Sequence, residues 1–417
     1  MGRLRLATWV PLAAVMATAL VLSFPPPQHP DQQVKLFPDS VTYLQWTIFH
    51  PPTAFLFYQL VGRGFGVCIA QTVLSVVCWT LLGWTALGTV GAVCGAALAA
   101  SLPVALWNYA VLSESLALSL GAALLAATLG LGRQWTRPRF IAWSACVLLF
   151  TGVREENFII VPILCAALLV WHRARWRALG AVGVTAAAMF LVFSVVLDKE
   201  STNWQTRMTN VVLTRILPDA NLAAEFYVRG MPREASMLNY RGQMLEYYNA
   251  DFRAQTPLFQ HWLDGDSRAM YLRWLATETP HRYLITWMDM IMARAEYDYY
   301  TAGVHLPGTA TDLARLYDAV AIPLRRWVWL AAGPLLCALL ERRVRFVDLF
   351  ALAYLVSVYV LTFVVYHADS GELGRHMVLV AALYRLAPVI VLACAWERLS
   401  ALAHWWFRRS DPAPAAP

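Results

Sequence analysis

Charge is what this chain has least of. Only 14% of its 417 residues are Asp, Glu, Lys or Arg against 59% hydrophobic, and mean hydropathy is +0.51. Soluble globular domains carry about 25% charge, so that class is excluded and a polytopic membrane protein is expected. The seven cysteines (Cys68, Cys78, Cys94, Cys146, Cys165, Cys337, Cys394) lie in or at the edges of apolar runs with no Cys-x-x-Cys spacing, which supports neither a disulfide framework nor a zinc site. Heptads and a glycine-rich phosphate loop are missing, so no nucleotide-sugar site is visible. No inverted repeat relates the two apolar blocks, which counts against a secondary transporter.

What is there is a series of apolar runs near the roughly 20 residues that a spanning helix needs. They fall at 6–24, 67–88, 90–108, 113–131, 139–153, 157–171, 178–197, 322–340, 346–366 and 377–396, which predicts about ten transmembrane helices. The fifth and sixth are short and can be two spans or one hairpin, because Arg154-Glu155-Glu156-Asn157 between them is costly in hydrocarbon unless it faces water or protein. The first resembles a signal peptide, with a weak cleavage match at Ala17-Thr18-Ala19. The apolar run continues to Phe24, which favours a retained anchor.

A net charge of +7 raises the question of nucleic acid, and the position of the basic residues answers it. Arg3 and Arg5, Arg133, Arg137 and Arg139, Arg173, Arg175 and Arg177, Arg342, Arg343 and Arg345, then Arg398, Arg408 and Arg409 mark every second junction. That is the positive-inside pattern. It predicts cytoplasmic termini in a plasma (inner) membrane, no nucleic-acid partner, and an exoplasmic face holding the remaining junctions. Residues 1–197 form an N-terminal membrane block with its first loop at 25–66. A small helical exoplasmic domain is expected over 198–320, a second membrane block over 321–400 and a tail over 401–417 ending in P-A-P-A-A-P, expected to be disordered. The helical stretch near 281–294 can lie in the interface plane or pack on the membrane block.

The exoplasmic junctions carry the candidate chemistry. In F-P-D-S-V-T-Y-L-Q-W-T-I-F-H-P-P, Asp39 either caps a short aromatic helix or presents a carboxylate at the water–lipid boundary, with Tyr43 and His50 beside it. Glu114, in L-S-E-S-L-A-L-S-L, either complements a helix dipole or is a functional intramembrane acid. Arg154, Glu155 and Glu156 form either a plain exoplasmic turn or a phosphate contact. His367, Asp369, Glu372, Arg375 and His376 gather before the last span. There Arg375 and His376 are either interfacial anchors or a headgroup phosphate site, which suits the planar guanidinium fork.

Taken together and in order, these segments resemble the GT-C superfamily of membrane glycosyltransferases that use polyprenyl-phosphate sugars, in particular its bacterial protein-mannosyltransferase and aminoarabinose-transferase-like group. Asp39 with Tyr43 is similar to its loop aspartate, and H-P-P-T-A-F-L-F-Y-Q-L-V-G to its juxtamembrane helix. L-S-E-S-L-A-L-S-L is similar to the helix with its second acid, G-V-R-E-E-N-F-I-I-V-P-I-L to its Arg-acid turn, and E-L-G-R-H-M-V-L-V to its Arg-His entry to a late span. The resemblance implies an all-α GT-C-like fold with an exoplasmic juxtamembrane helix. It implies transfer from a lipid-linked sugar donor to a glycan, lipid or protein acceptor, with inversion. Asp39 is then the general base, Glu114 a positioning acid, and Arg375 with His376 the holders of the leaving phosphate. Arg154, Glu155, Glu372, Tyr43 and His50 become donor or acceptor contacts. The first loop lacks a clear Asp-Glu or Asp-Asp pair, so a divalent metal is an open alternative and no other cofactor is expected. The rival readings are a ligase acting on lipid-pyrophosphate glycans, a transporter or flippase, and a structural scaffold.

Overall fold

A computed structural model describes residues 2–24, 36–37, 40–45, 51–62, 64–192, 203–245, 249–277, 306–320, 327–368 and 376–410. These residues are helical with no strand among them. Four helices are long and apolar enough to cross a membrane: Phe65–Ala100, Ser113–Arg133, Phe346–His367 and Val378–Ser400. The pair Glu156–Trp171 and Arg173–Leu191, bent by 120° at its break, passes the same test together. Large apolar side chains such as Ile69, Val73, Val93, Ile141, Leu335 and Leu392 stay exposed on the outside of the bundle, which fits a lipid-facing surface.

The helices in chain order are α1 (Gly2–Ser23), α2 (Ser40–Leu44), α3 (Pro52–Val61), α4 (Phe65–Ala100), α5 (Leu102–Ala105), α6 (Ser113–Arg133), α7 (Arg137–Thr151), α8 (Ile160–Trp171) and α9 (Trp176–Leu191). After them come α10 (Asn203–Val211), α11 (Ala220–Val228), α12 (Ala250–Gln255), α13 (Pro257–Asp264), α14 (Ser267–Thr277), α15 (Gly308–Val320), α16 (Trp327–Glu341), α17 (Phe346–Ala368) and α18 (Val378–Ser410).

The sequence predicts separate runs at 67–88 and 90–108, and α4 is their fusion across a break at Leu87 and Gly88. Gly88 has φ +62 and supplies the reversal at low steric cost. The two limbs lie back to back. A Cβ built on Gly83 would overlap the Gly91 carbonyl, and one on Gly95 would overlap the Trp79 carbonyl. Gly91 and Gly95 are therefore a small-xxx-small pair that lets two backbones touch, a recurrent way to hold helices together in lipid. The second limb ends at Ala100 and a tight polar-capped turn leads through α5 to a 310 turn, Leu106–Tyr109.

α7 and α8 are 15 and 12 residues long, about 22 and 18 Å at 1.5 Å per residue, both short of a hydrocarbon core of roughly 30 Å. They are joined through a 310 turn, Glu155–Ile159. Asn157 in that turn is buried and its Nδ2 donates to the Phe150 carbonyl at 2.9 Å. A polar turn packed inside protein is tolerated at membrane depth.

Two ends of the bundle are chemically distinct. At one, Arg133 at the end of α6 pairs with Glu397 and donates to the Thr85 and Ala86 carbonyls beside the α4 break. Arg398 donates twice to buried Asp348 at the start of α17, each bond 2.8 Å, and lies 3.4 Å from Glu341 at the end of α16. Arg133, Arg345 and Arg398, from three of the arginine-rich junctions, thus share one end. At the other end α6 and α18 begin and α7 and α17 stop. The expected 377–396 span is longer than its apolar run, because α18 continues past Trp396 to Ser410, with Glu397 and Arg398 absorbed into these ion pairs.

Residues 204–275 build a second core around Phe226, Phe259, Tyr271 and Trp274. Asp219 caps α11 by accepting from the Asn221 and Leu222 amides, and Glu234 caps α13 through the Leu258 and Phe259 amides. This unit rests on the end of α17. Arg215 stacks over the Tyr366 ring at 3.9 Å, and the Tyr271 hydroxyl donates to the His367 carbonyl at 2.9 Å.

Candidate functional site

The site is built on the entry to α6. Three successive residues there are gripped by the first loop: Ser40 Oγ donates to the Val111 carbonyl at 2.7 Å, Tyr58 to the Leu112 carbonyl at 2.6 Å, and Tyr43 lies 3.1 Å from Ser113 Oγ. The helix expected after His-Pro-Pro is α3, with proline in its first turn where the missing N–H costs nothing. Ala54 and Tyr58, four residues apart, form its buried face. Its first turn is fastened elsewhere too, since the Thr53 amide donates to the Gly152 carbonyl at 2.9 Å, two residues before Arg154. Gln71 of α4 donates to the Tyr58 hydroxyl at 2.8 Å.

Glu114 follows immediately and is 1% exposed. Its Oε1 lies 3.3 Å from Arg154 Nη1. Arg154 Nε meets Glu156 Oε1 at 2.7 Å, and its Nη2 meets His376 Nδ1. Glu156 Oε1 is 3.6 Å from the same Nδ1. One arginine therefore connects two carboxylates and an imidazole drawn from three separate stretches of chain. Glu114 lies in the first turn of α6, Glu156 just before α8 and His376 just before α18. Three helix N-termini converge there, and each favours negative charge nearby.

Tyr58 is part of the same environment. Burial first, then the charges of Glu114 and Tyr43, push its phenol well above its ordinary 10, so it stays a neutral donor to the Leu112 carbonyl. Deeper in, Ser115 Oγ donates to Asn108 Oδ1 at 2.7 Å, both residues being buried.

Of the residues that the sequence singles out, Tyr43, Glu114, Arg154 and His376 are brought to one end of the bundle, the last three in direct contact. Asp39, His50, Glu372 and Arg375 lie outside the described residues, as does Asp369. Ser40, the chain neighbour of Asp39, is bonded to Val111 as above. For Glu155 the backbone opens the 310 turn and its side chain is outside the description; Glu156 makes the ion pairs. His367 is buried at the end of α17 against Trp274 and Phe363. Sequence reasoning passed over Tyr58, Gln71 and Asn108, although Gln71 and Ser75 at i, i+4 in an apolar run already mark a buried polar face. It also passed over Arg385, buried inside α18 and paired with Asp318 of α15 at 2.8 Å. Among the described residues no group of three or more His, Cys, Asp or Glu side chains is arranged to hold a metal ion.

Four apolar helices long enough to span a bilayer, with a partly buried ionic cluster at one end, fit an α-helical membrane protein. No family model, no curated protein and no solved structure matches the chain.

Proposed function

We propose that this protein is an integral membrane glycosyltransferase that moves a sugar from a polyprenyl-phosphate donor to an exoplasmic acceptor with inversion. The reading includes ten passes: α1, the two limbs of α4, α6 to α9, and α16 to α18. It puts the arginine-rich end in the cytoplasm of the inner membrane. The observation that carries it is the Glu114–Arg154–Glu156–His376 cluster, held against the first loop at the end where three helix N-termini meet.

In this reading the acceptor hydroxyl attacks the anomeric carbon as the bond from that carbon to the phosphate oxygen breaks. The bonding pair leaves with the phosphate and the hydroxyl proton passes to Asp39. Arg375 and His376 hold the departing phosphate, where negative charge grows. Glu114 positions Arg154, and Arg154 in turn fixes His376. Tyr43, His50, Glu155 and Glu372 border the donor or acceptor, and no step of this reading runs through a metal. A lipid-linked donor needs no nucleotide site, which agrees with the sequence.

The test is incubation of the purified protein with a panel of polyprenyl-phosphate sugars, with the product identified by mass spectrometry. Transfer of a single sugar, abolished in Asp39→Asn with insertion intact, is expected. Near-normal transfer by that variant removes Asp39 as base. A preassembled glycan in the product points to a ligase, and movement of substrate across vesicles without covalent transfer points to a carrier.

A further inference from the structure

At the end of the bundle opposite the acidic cluster, two loops form one basic, aromatic surface. Arg137 opens α7 after the α6–α7 loop, Arg173 and Arg175 lie in the turn between α8 and α9, and Arg177 is in the first turn of α9, all four exposed. The loops are fastened together: His172 Nε2 bonds to the Leu131 carbonyl at 3.2 Å, and the Trp135 ring meets the His172 ring edge-on at 5.2 Å. The Arg175 guanidinium lies over Trp135 at 5.6 Å and Arg177 over Trp176 at 5.4 Å.

Neighbouring arginines have structural work. Arg133 is bound to Glu397, and Arg139 donates to the Gly130 and Gln134 carbonyls. Among the described residues, by contrast, Arg137, Arg173, Arg175 and Arg177 make no ion pair. Between Glu114 and Asp198 the only acids are Glu155 and Glu156, and Glu156 is committed to Arg154 at the other end. This surface therefore keeps four positive charges with no carboxylate of its own.

We propose that the surface formed by Arg137, Arg173, Arg175 and Arg177 is a binding site for the phosphate headgroups of anionic phospholipids. Two observations choose a lipid over an acidic protein. The arginines sit at the ends of apolar helices, within reach of headgroups, and Trp171 and Trp176 beside them are 39% and 60% exposed, as aromatic residues at a bilayer interface are. Basic groups between helix ends at that level gather phosphate headgroups, and the guanidinium fork matches them. The site needs only the membrane reading of the chain and is independent of the sugar-transfer reading.

The experiment is native mass spectrometry of the full-length protein released from nanodiscs of phosphatidylcholine doped with phosphatidylglycerol or cardiolipin. A triple variant, Arg137→Gln, Arg173→Gln and Arg175→Gln, is compared with the parent and with Arg342→Gln/Arg343→Gln, which removes the same kind of charge elsewhere on that end. Retention of anionic lipid is expected to fall by about tenfold or more in the triple variant and to stay at the parental level in the control. Equal retention in parent and triple variant overturns the site, and an equal fall in the control reduces it to diffuse attraction. Inorganic phosphate at millimolar concentration is the second probe: competition by it as complete as by lipid assigns the surface to free phosphate and overturns the lipid assignment. Thermal melts of all three proteins in neutral detergent, expected to coincide, separate loss of lipid from loss of fold.

Discussion

Arg154 and Glu114, forty residues apart in the chain, meet at 3.3 Å with the carboxylate 1% exposed. The same guanidinium is held by Glu156 and touches His376, so Glu114 acts on the imidazole through Arg154. Glu114→Gln keeps an acceptor for Arg154 but removes the charge that fixes it. The expected outcome is a roughly hundredfold fall in sugar transfer, of the size produced by about 1 Å of misplacement. A thermal melt should drop by only about 1–3 kcal/mol. Glu114→Ala, which leaves an arginine short of one carboxylate, should cost about 3–5 kcal/mol.

Tyr58→Phe removes one hydroxyl and leaves two buried groups, the Leu112 carbonyl and the Gln71 amide, without that bond. A loss of about 1–3 kcal/mol is expected in detergent melts. The pH dependence gives a second readout. The folded phenol resists ionisation while the unfolded one ionises near 10, so the unfolded chain gains as pH rises above about 10. The parent should therefore lose stability there faster than Tyr58→Phe does.

The α4 hairpin depends on backbone contact at Gly95 and Trp79. Gly95→Leu is expected to force the limbs apart, costing about 1–3 kcal/mol or more. Protease accessibility near Gly88 and a lowered melt would register it. The same change at Gly130, which has open space around its Cβ position, should be mild and serves as the control.

Arg385 is buried within α18, and Asp318 of α15 meets it at 2.8 Å while being 41% exposed. Asp318→Asn takes away that carboxylate, and a loss of roughly 3 kcal/mol is expected. Replacing both residues by leucine should bring stability back close to the parent, because it removes the buried Arg385 charge that the carboxylate compensates. If the double variant is no better than the single one, the pair has a role beyond neutralising Arg385.

The bundle was legible where a residue type has one strong physical preference. Arg133, Arg345 and Arg398, from three arginine-rich junctions, meet at one end, and the gap between the runs at 67–88 and 90–108 is the Gly88 reversal. Glu114, Arg154 and His376 stood out because ionisable groups flanking apolar runs are costly. Tyr58 did not, since a tyrosine in A-F-L-F-Y-Q-L-V reads as one more apolar residue and its hydroxyl partners come from tertiary contact. Glu155 and Glu156 are equivalent by composition, and it takes the folded 310 turn to show Glu156 at Arg154. Arg385 was hidden inside an apolar run, and its partner sits in G-T-A-T-D-L-A-R-L-Y-D-A-V, which looks like an ordinary water-soluble helix.

The polar cluster draws on positions 114, 154, 156 and 376, and the last of these precedes α18, the final helix described. A ribosome must therefore have made residue 376, about 260 residues after Glu114, before these groups can meet. Products that stop short of residue 376 would carry Glu114, Arg154 and Glu156 without the imidazole that completes their cluster.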